Sequence, residues 1–203
     1  AAPLLVAAGF PAMAAVMVSL IIQSTPVSFG AVGTPILIGV NSGLSGQTEV
    51  LGYLSQHGIG FNAFLKSIGG KVALIHGITG TLIPLILVIM LTRFFGSGDK
   101  HQKTKGSSIV PFALFSGLCF TIPYTLTGYF LGPEFPTIIG SLVGLAVVIP
   151  AARKGFLAPS RPWDFAPASS WPRSWSGLEK VPDSPVDSGM DAIKAWIPYI
   201  LVA

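Results

Sequence analysis

The chain has 203 residues, of which 51% are hydrophobic and only 10% charged, and its mean hydropathy is +0.70. A soluble domain carries roughly 25% charged residues, so composition excludes an ordinary water-soluble fold and points to a membrane protein. The net charge of +4 is confined to two loops, with four of the twelve Lys and Arg at 93–105 and six at 153–194, which excludes a basic face for nucleic acid.

A helix crossing a bilayer needs about 20 mostly apolar residues. Residues 4–22 meet this requirement, with a kink expected at Pro11. No basic segment precedes them, so they do not read as a signal peptide. The chain opens without Met and closes on an apolar run, 196–203, that reads as the start of another span. It is therefore expected to be an interior piece of a larger membrane protein. Residues 23–40 interrupt the apolar pattern with "QSTPVSFGAVGTPI" followed by a short apolar piece. In 41–68, which hold Glu49, His57 and Lys66, apolar residues recur every three or four positions (Val50, Leu51, Leu54, then Phe61, Phe64, Leu65, Ile68). That spacing predicts interfacial helix turns, divided by Gly58 and Gly60.

Residues 72–91 are the clearest span, ended by Arg93 and the basic loop 93–108. Two more apolar runs follow, 109–131 and 137–152, separated by "GPEFP". Lys and Arg gather on the cytoplasmic side of a membrane, and two crossings return both basic loops to one side. Residues 109–131 and 137–152 are thus expected to be two spans, with both loops cytoplasmic. The single Cys119 excludes a disulfide within the chain and any multi-cysteine metal site; no metal or other cofactor is expected. Residues 153–195 read as a polar, loosely ordered loop, with tryptophans at 163, 171 and 175 and a fourth at 196. The predicted fold class is an all-α polytopic integral membrane protein with broken or re-entrant segments.

The interruption at 23–35 carries the functional signal. Backbone polar groups left unpaired in hydrocarbon cost several kcal/mol each, so such a stretch must be enclosed by protein or line a wet cavity. Pro26 and Pro35 break the helix, and Gly30 and Gly33 let the chain turn. A segment starting at Pro35 would offer free N–H groups and a positive dipole end to an anion. Ser24, Thr25, Ser28 and Thr34 add neutral donors, a combination suited to a small carboxylate. A second interruption repeats the pattern: Pro35-Ile36-Leu37-Ile38-Gly39 parallels Pro136-Thr137-Ile138-Ile139-Gly140. Paired broken helices in internal repeats are a transporter signature.

"STPVSFGAVGTPI" and "GYFLGPEFPTIIGSLVGL" closely resemble the bacterial L-lactate permease family. The likeness covers most of 1–152 and resumes at "AWIPYILVA". It implies proton-coupled symport of lactate, glycolate and related 2-hydroxymonocarboxylates across the bacterial inner membrane, with Ser24, Thr25, Ser28, Gly30, Gly33 and Thr34 as candidate substrate contacts. A proton symporter also needs a titratable group within its spans, where such groups are costly and default to function. The candidates are Glu134, between two prolines, and His76, whose imidazole exchanges protons near neutrality. Lys71, at a span end, reads as a snorkelling headgroup contact. The chain has neither a Gly-x-Ser-x-Gly elbow at Ser24 or Ser28 nor a His-Glu-x-x-His motif, so no enzyme activity is expected. The competing readings are a transporter of another small organic anion or a Na+-coupled symporter and, behind these, a channel, which also uses re-entrant segments.

Overall fold

The computed structural model of the chain describes residues 2–96, 107–159 and 163–176. Every regular element among them is helical, and four helical stretches are long and apolar enough to cross a membrane. The protein is an all-α polytopic membrane protein. The expected span at 196–203, Trp196 and most of the loop 93–108 lie outside the described residues.

The first apolar run is not one kinked helix but two: α1 (Ala2–Ala7) and α2 (Ala12–Ile22). Gly9 takes a left-handed φ of +94°, and the N–H groups of Gly9 and Phe10 close back onto Val6 and Leu5 at 2.9 and 3.0 Å. This is the glycine-capped end of a helix. Pro11, which has no N–H to continue a ladder, then starts the next one.

After the interrupted stretch come one short turn and α3 (Thr48–Gln56). The expectation of separate interfacial turns up to residue 68 fails beyond Gly60. Phe61 opens α4 (Phe61–Phe94), a single helix of 34 residues. At 1.5 Å per residue it is about 50 Å long, against a hydrocarbon core of about 30 Å. Its first turns need no unbroken apolar run, because they extend beyond what the bilayer must cover.

The helices α5 (Val110–Phe130) and α6 (Pro136–Arg153) are separate. Neighbours pair in opposite sequence directions: Gly70 with Tyr129, Gly77 with Thr125, and Thr81 with Gly117 between α4 and α5; Gly140 with Tyr124 and Gly144 with Phe120 between α5 and α6. All three helices are therefore antiparallel to their neighbours. Glycines at the seams let the backbones approach, which is how helices associate where lipid offers no hydrophobic drive. The seam between α4 and α5 also carries hydrogen bonds. Thr81 and Thr121 share one at 2.7 Å, and Thr125 donates to the Ala73 carbonyl at 3.2 Å.

Arg93, Val110 and Arg153 thus gather at one end of the bundle. The segment 163–176, expected to be loosely ordered, packs there through its rings. Phe165 meets Phe10 edge-on at 5.0 Å, Trp163 meets Phe165 at 4.9 Å, and Trp175 meets the buried Phe95 at 4.9 Å. Trp171 Nε1 donates to the Ala166 carbonyl at 2.7 Å. Aromatic pairs are worth about 0.5–1.5 kcal/mol each beyond area burial. Phe165→Ala, which removes a ring touching Phe10, Trp163 and Trp171, should open the segment about tenfold more often. Limited proteolysis between residues 157 and 176 would read this as faster cleavage.

Candidate functional site

The site is built where α2 stops. After Ile22 the chain makes a short 3₁₀ turn, Val27–Phe29, and then passes through three consecutive left-handed residues: Ala31 (φ 45°, ψ 51°), Val32 (φ 57°, ψ 42°) and Gly33 (φ 77°, ψ 11°). Left-handed backbone costs an L-residue about 1–2 kcal/mol, and for a β-branched residue such as Val32 it is a marked outlier. The flanks hold it in place. Phe29 and Ile36 are buried in the core, and Thr137 of α6 donates to the Phe29 carbonyl at 3.0 Å. Gly33 lies directly against the Pro133 carbonyl. The two interruptions of the sequence, around 23–35 and 131–136, therefore meet in space. A π-helical turn, Pro35–Val40, completes the passage. Val32→Gly removes the strained β-branched side chain and should raise the melting temperature in detergent. A fall of several degrees would place the strain elsewhere.

Thr25 is 6% exposed and its methyl faces Gly80 of α4 and Thr121 of α5. Gly80 is about 20 Å along α4 from Arg93, which puts Thr25 near the middle of a layer about 30 Å thick. Here a cavity of about 470 Å³ opens between α2, α4, α5 and α6. Its polar wall is Gln23, Thr25, Ser116, Thr137 and Ser141; its apolar wall includes Ile83, Phe120, Leu145 and Val148. No lining residue is charged. Pro84, also on the wall, has no N–H for the Gly80 carbonyl, which loses its ordinary intrahelical donor. Thr137 stands in the first turn of α6, where N–H groups without intrahelical acceptors form the positive end of the helix dipole. Ser116 spends its proton on the Ala113 carbonyl, at 2.8 Å. The Thr25 and Ser141 hydroxyls have no hydrogen-bond partner among the described residues.

Behind Thr25, three elements join through hydrogen bonds. His76 Nδ1 of α4 lies 3.1 Å from the Tyr124 hydroxyl of α5, and that hydroxyl lies 3.4 Å from the Thr25 carbonyl. Tyr124 is fully buried, with Phe29 edge-on at 5.3 Å and Phe120 at 5.3 Å.

The six residues expected to contact substrate occupy different places. Thr25 alone lines this cavity. Ser24 is exposed and returns its proton to the Ile21 carbonyl at 2.6 Å. Thr34 bonds back to the Ala31 carbonyl. Ser28 and Gly30 are half-buried, and Gly33 serves the contact with Pro133. Of the two titratable candidates, His76 sits behind the cavity. Glu134 lies half-buried at the bend between α5 and α6, without an ion pair or hydrogen bond among the described residues. Lys71 is exposed on α4. Gly39 faces open space whereas its counterpart Gly140 is packed against Tyr124 and Phe120. Gln23, Ser116, Thr137, Ser141 and Tyr124 escape sequence reasoning. The Thr137/Ser141 pair, four residues apart on one helix face, is the signal that could have found part of the wall.

Comparison with known proteins gives this arrangement a family. The model of the L-lactate permease family matches residues 1–203. The L-lactate permease of Bacillus subtilis (strain 168) is 29% identical over 201 residues, which are 99% of this chain and 31% of that protein. That of Escherichia coli (strain K12) is 28% identical over 204 residues, 99% of this chain and 30% of that protein. A putative L-lactate permease of Haemophilus influenzae is 32% identical over 154 residues, 76% and 24% respectively. The chain thus spans at most about a third of the length of these relatives. No solved structure matches it. With its whole length matched by the family model and nearly all of it by relatives so named, this chain belongs to the L-lactate permease family.

Proposed function

We propose that the permease of which this chain forms part is a secondary active transporter. It takes up L-lactate and related 2-hydroxymonocarboxylates, D-lactate and glycolate among them, by proton symport across the bacterial inner membrane. Loops 93–108 and 153–195 then lie on the cytoplasmic side. The observation that carries this reading is the uncharged, hydroxyl-lined cavity at the end of a half-helix near the middle of the bundle, the arrangement expected of a transporter site. The substrate carboxylate sits towards the first turn of α6, with the Thr25 and Ser141 hydroxyls free to bond it. The apolar wall takes the carbon chain. Gly33 shapes the break and Thr34 bonds back within it, while Ser24, Ser28 and Gly30 border it.

Without a cation on the wall, the carboxylate is best carried together with a proton. His76, beside the cavity, and Glu134, at the bend, are the proposed coupling groups. The proton is favoured over sodium because no lining residue is a carboxylate and a titratable imidazole adjoins the site.

The test is uptake of labelled L-lactate by the full-length permease in proteoliposomes, under an imposed pH gradient and without sodium. Concentrative uptake abolished by a protonophore is the expected result. Passive equilibration alone would identify a channel, and folded protein that moves no lactate would remove the substrate.

A further inference from the structure

We propose that Tyr124 is a positioning residue for proton coupling: its hydroxyl transmits the protonation of His76 to the Thr25 carbonyl, and so to the broken segment that lines the cavity. The inference rests on the proton-coupled transport reading above and assigns the connection which that reading leaves open.

The Tyr124 hydroxyl carries one proton and faces two groups, His76 Nδ1 at 3.1 Å and the Thr25 carbonyl at 3.4 Å. A carbonyl can only accept. An imidazole nitrogen accepts when bare and donates when it carries hydrogen. The imidazolium form of His76 has hydrogen on both nitrogens, so Nδ1 must donate to the tyrosine oxygen. The phenolic proton then has one destination, the Thr25 carbonyl, and α4, α5 and the break are linked in a single chain. The neutral ring admits a second arrangement, in which Nδ1 is bare, draws the tyrosine proton to itself, and leaves the carbonyl without that donor. Binding a proton therefore removes one of two states and fastens the break to α5.

The surroundings make this exchange consequential. Tyr124 is fully buried between Phe29 and Phe120, so water cannot readily replace either bond. Thr25 belongs to no helix and lines the cavity. The groups facing His76 are the Tyr124 hydroxyl from α5 and, from the broken segment, the Thr25 carbonyl and the Phe29 ring at 6.3 Å. No carboxylate or cation among the described residues acts on it. On its own helix the nearest charge is the exposed Lys71. His76 also touches the Thr25 carbonyl directly, and the Tyr124 hydroxyl adds the link that ties both of them to α5.

The test uses the full-length permease in proteoliposomes, comparing lactate counterflow at equal pH with uptake driven by a pH gradient. Tyr124→Phe keeps the ring packing and removes the hydroxyl. Counterflow KM is expected to stay within about threefold, while gradient-driven uptake falls by about tenfold, the scale of one hydrogen bond to a charged group. The pH dependence of uptake between about 5 and 8 should flatten. His76→Gln provides a second variant with the same expected profile, and the double variant should be no worse than either single one. An unchanged pH profile in Tyr124→Phe, equal loss of counterflow and driven uptake in folded protein, or additive losses in the double variant would each overturn the proposal. If the unmodified protein shows lactate counterflow that no pH gradient drives, the proton-coupling reading itself fails, and that result is distinct from any variant's.

Discussion

Gly33→Ala should cost the folded protein about 2–5 kcal/mol, the sum of about 1–2 kcal/mol for a side chain in left-handed backbone and about 1–3 kcal/mol for overpacking. A Cβ at Gly33 would be driven into the Pro133 carbonyl, at a φ of +77°. Against a total stability of about 5–15 kcal/mol, that is enough to empty much of the folded population. Thermal melting in detergent, followed by fluorescence-detected size exclusion, is the measurement. The same stretch supplies its control. Gly30, three residues earlier, has an ordinary negative φ, and a methyl added there would meet nothing within 4 Å, so Gly30→Ala should melt with the unmodified protein. Equal losses at both positions would mean that this stretch merely needs small residues, and that the contact between the two interruptions is not what holds the break.

That contact shows what the sequence makes legible and what it hides. The helical membrane class, the break after Ile22 and the separation of α5 from α6 all follow from hydropathy, proline placement and the two basic loops, which are local or compositional signals. The break at Gly9 reads in the sequence as a kink at Pro11, because proline is the conspicuous helix breaker, while the residue that closes the helix is the glycine before it. The start of α4 at Phe61 is hidden by Lys66 and Lys71, which interrupt an apolar run without interrupting a helix. The segment 163–176 is rich in proline and serine, and its order comes from rings that meet Phe10 and Phe95, partners far away in sequence.

The cavity is the least legible feature, for a physical reason. Ser116 and Ser141 are serines in largely apolar helices, where a serine commonly bonds its own backbone. Ser116 does so and Ser141 does not, a difference that only packing decides. The crowded hydroxyls at 24–34 mark the right region, yet two of the four, Ser24 and Thr34, spend their protons on nearby backbone carbonyls. His76 stands out in the sequence as a titratable group within a span, whereas Tyr124, 48 residues away, becomes conspicuous only beside it.

If the cavity holds the carboxylate, the hydroxyls with unspent protons should set its affinity. Thr25→Val keeps the methyl against Gly80 and removes the hydroxyl; Ser141→Ala does the same from α6. A hydrogen bond to a charged group is worth about 1.5–3 kcal/mol, so each variant should raise the transport KM by about 10- to 100-fold. kcat should hold where the bond is equally strong throughout the cycle. Ser24→Ala should leave KM unchanged, because Ser24 is exposed and its proton already serves Ile21. This ordering separates the cavity from the sequence motif as the seat of recognition. A site formed by the motif as a whole would make Ser24 and Thr25 comparable and Ser141 irrelevant. A site formed where α2 ends and α6 begins makes Thr25 and Ser141 comparable and Ser24 irrelevant. Initial rates of lactate counterflow across a range of concentrations distinguish the two patterns directly, since counterflow needs substrate recognition but no net proton movement.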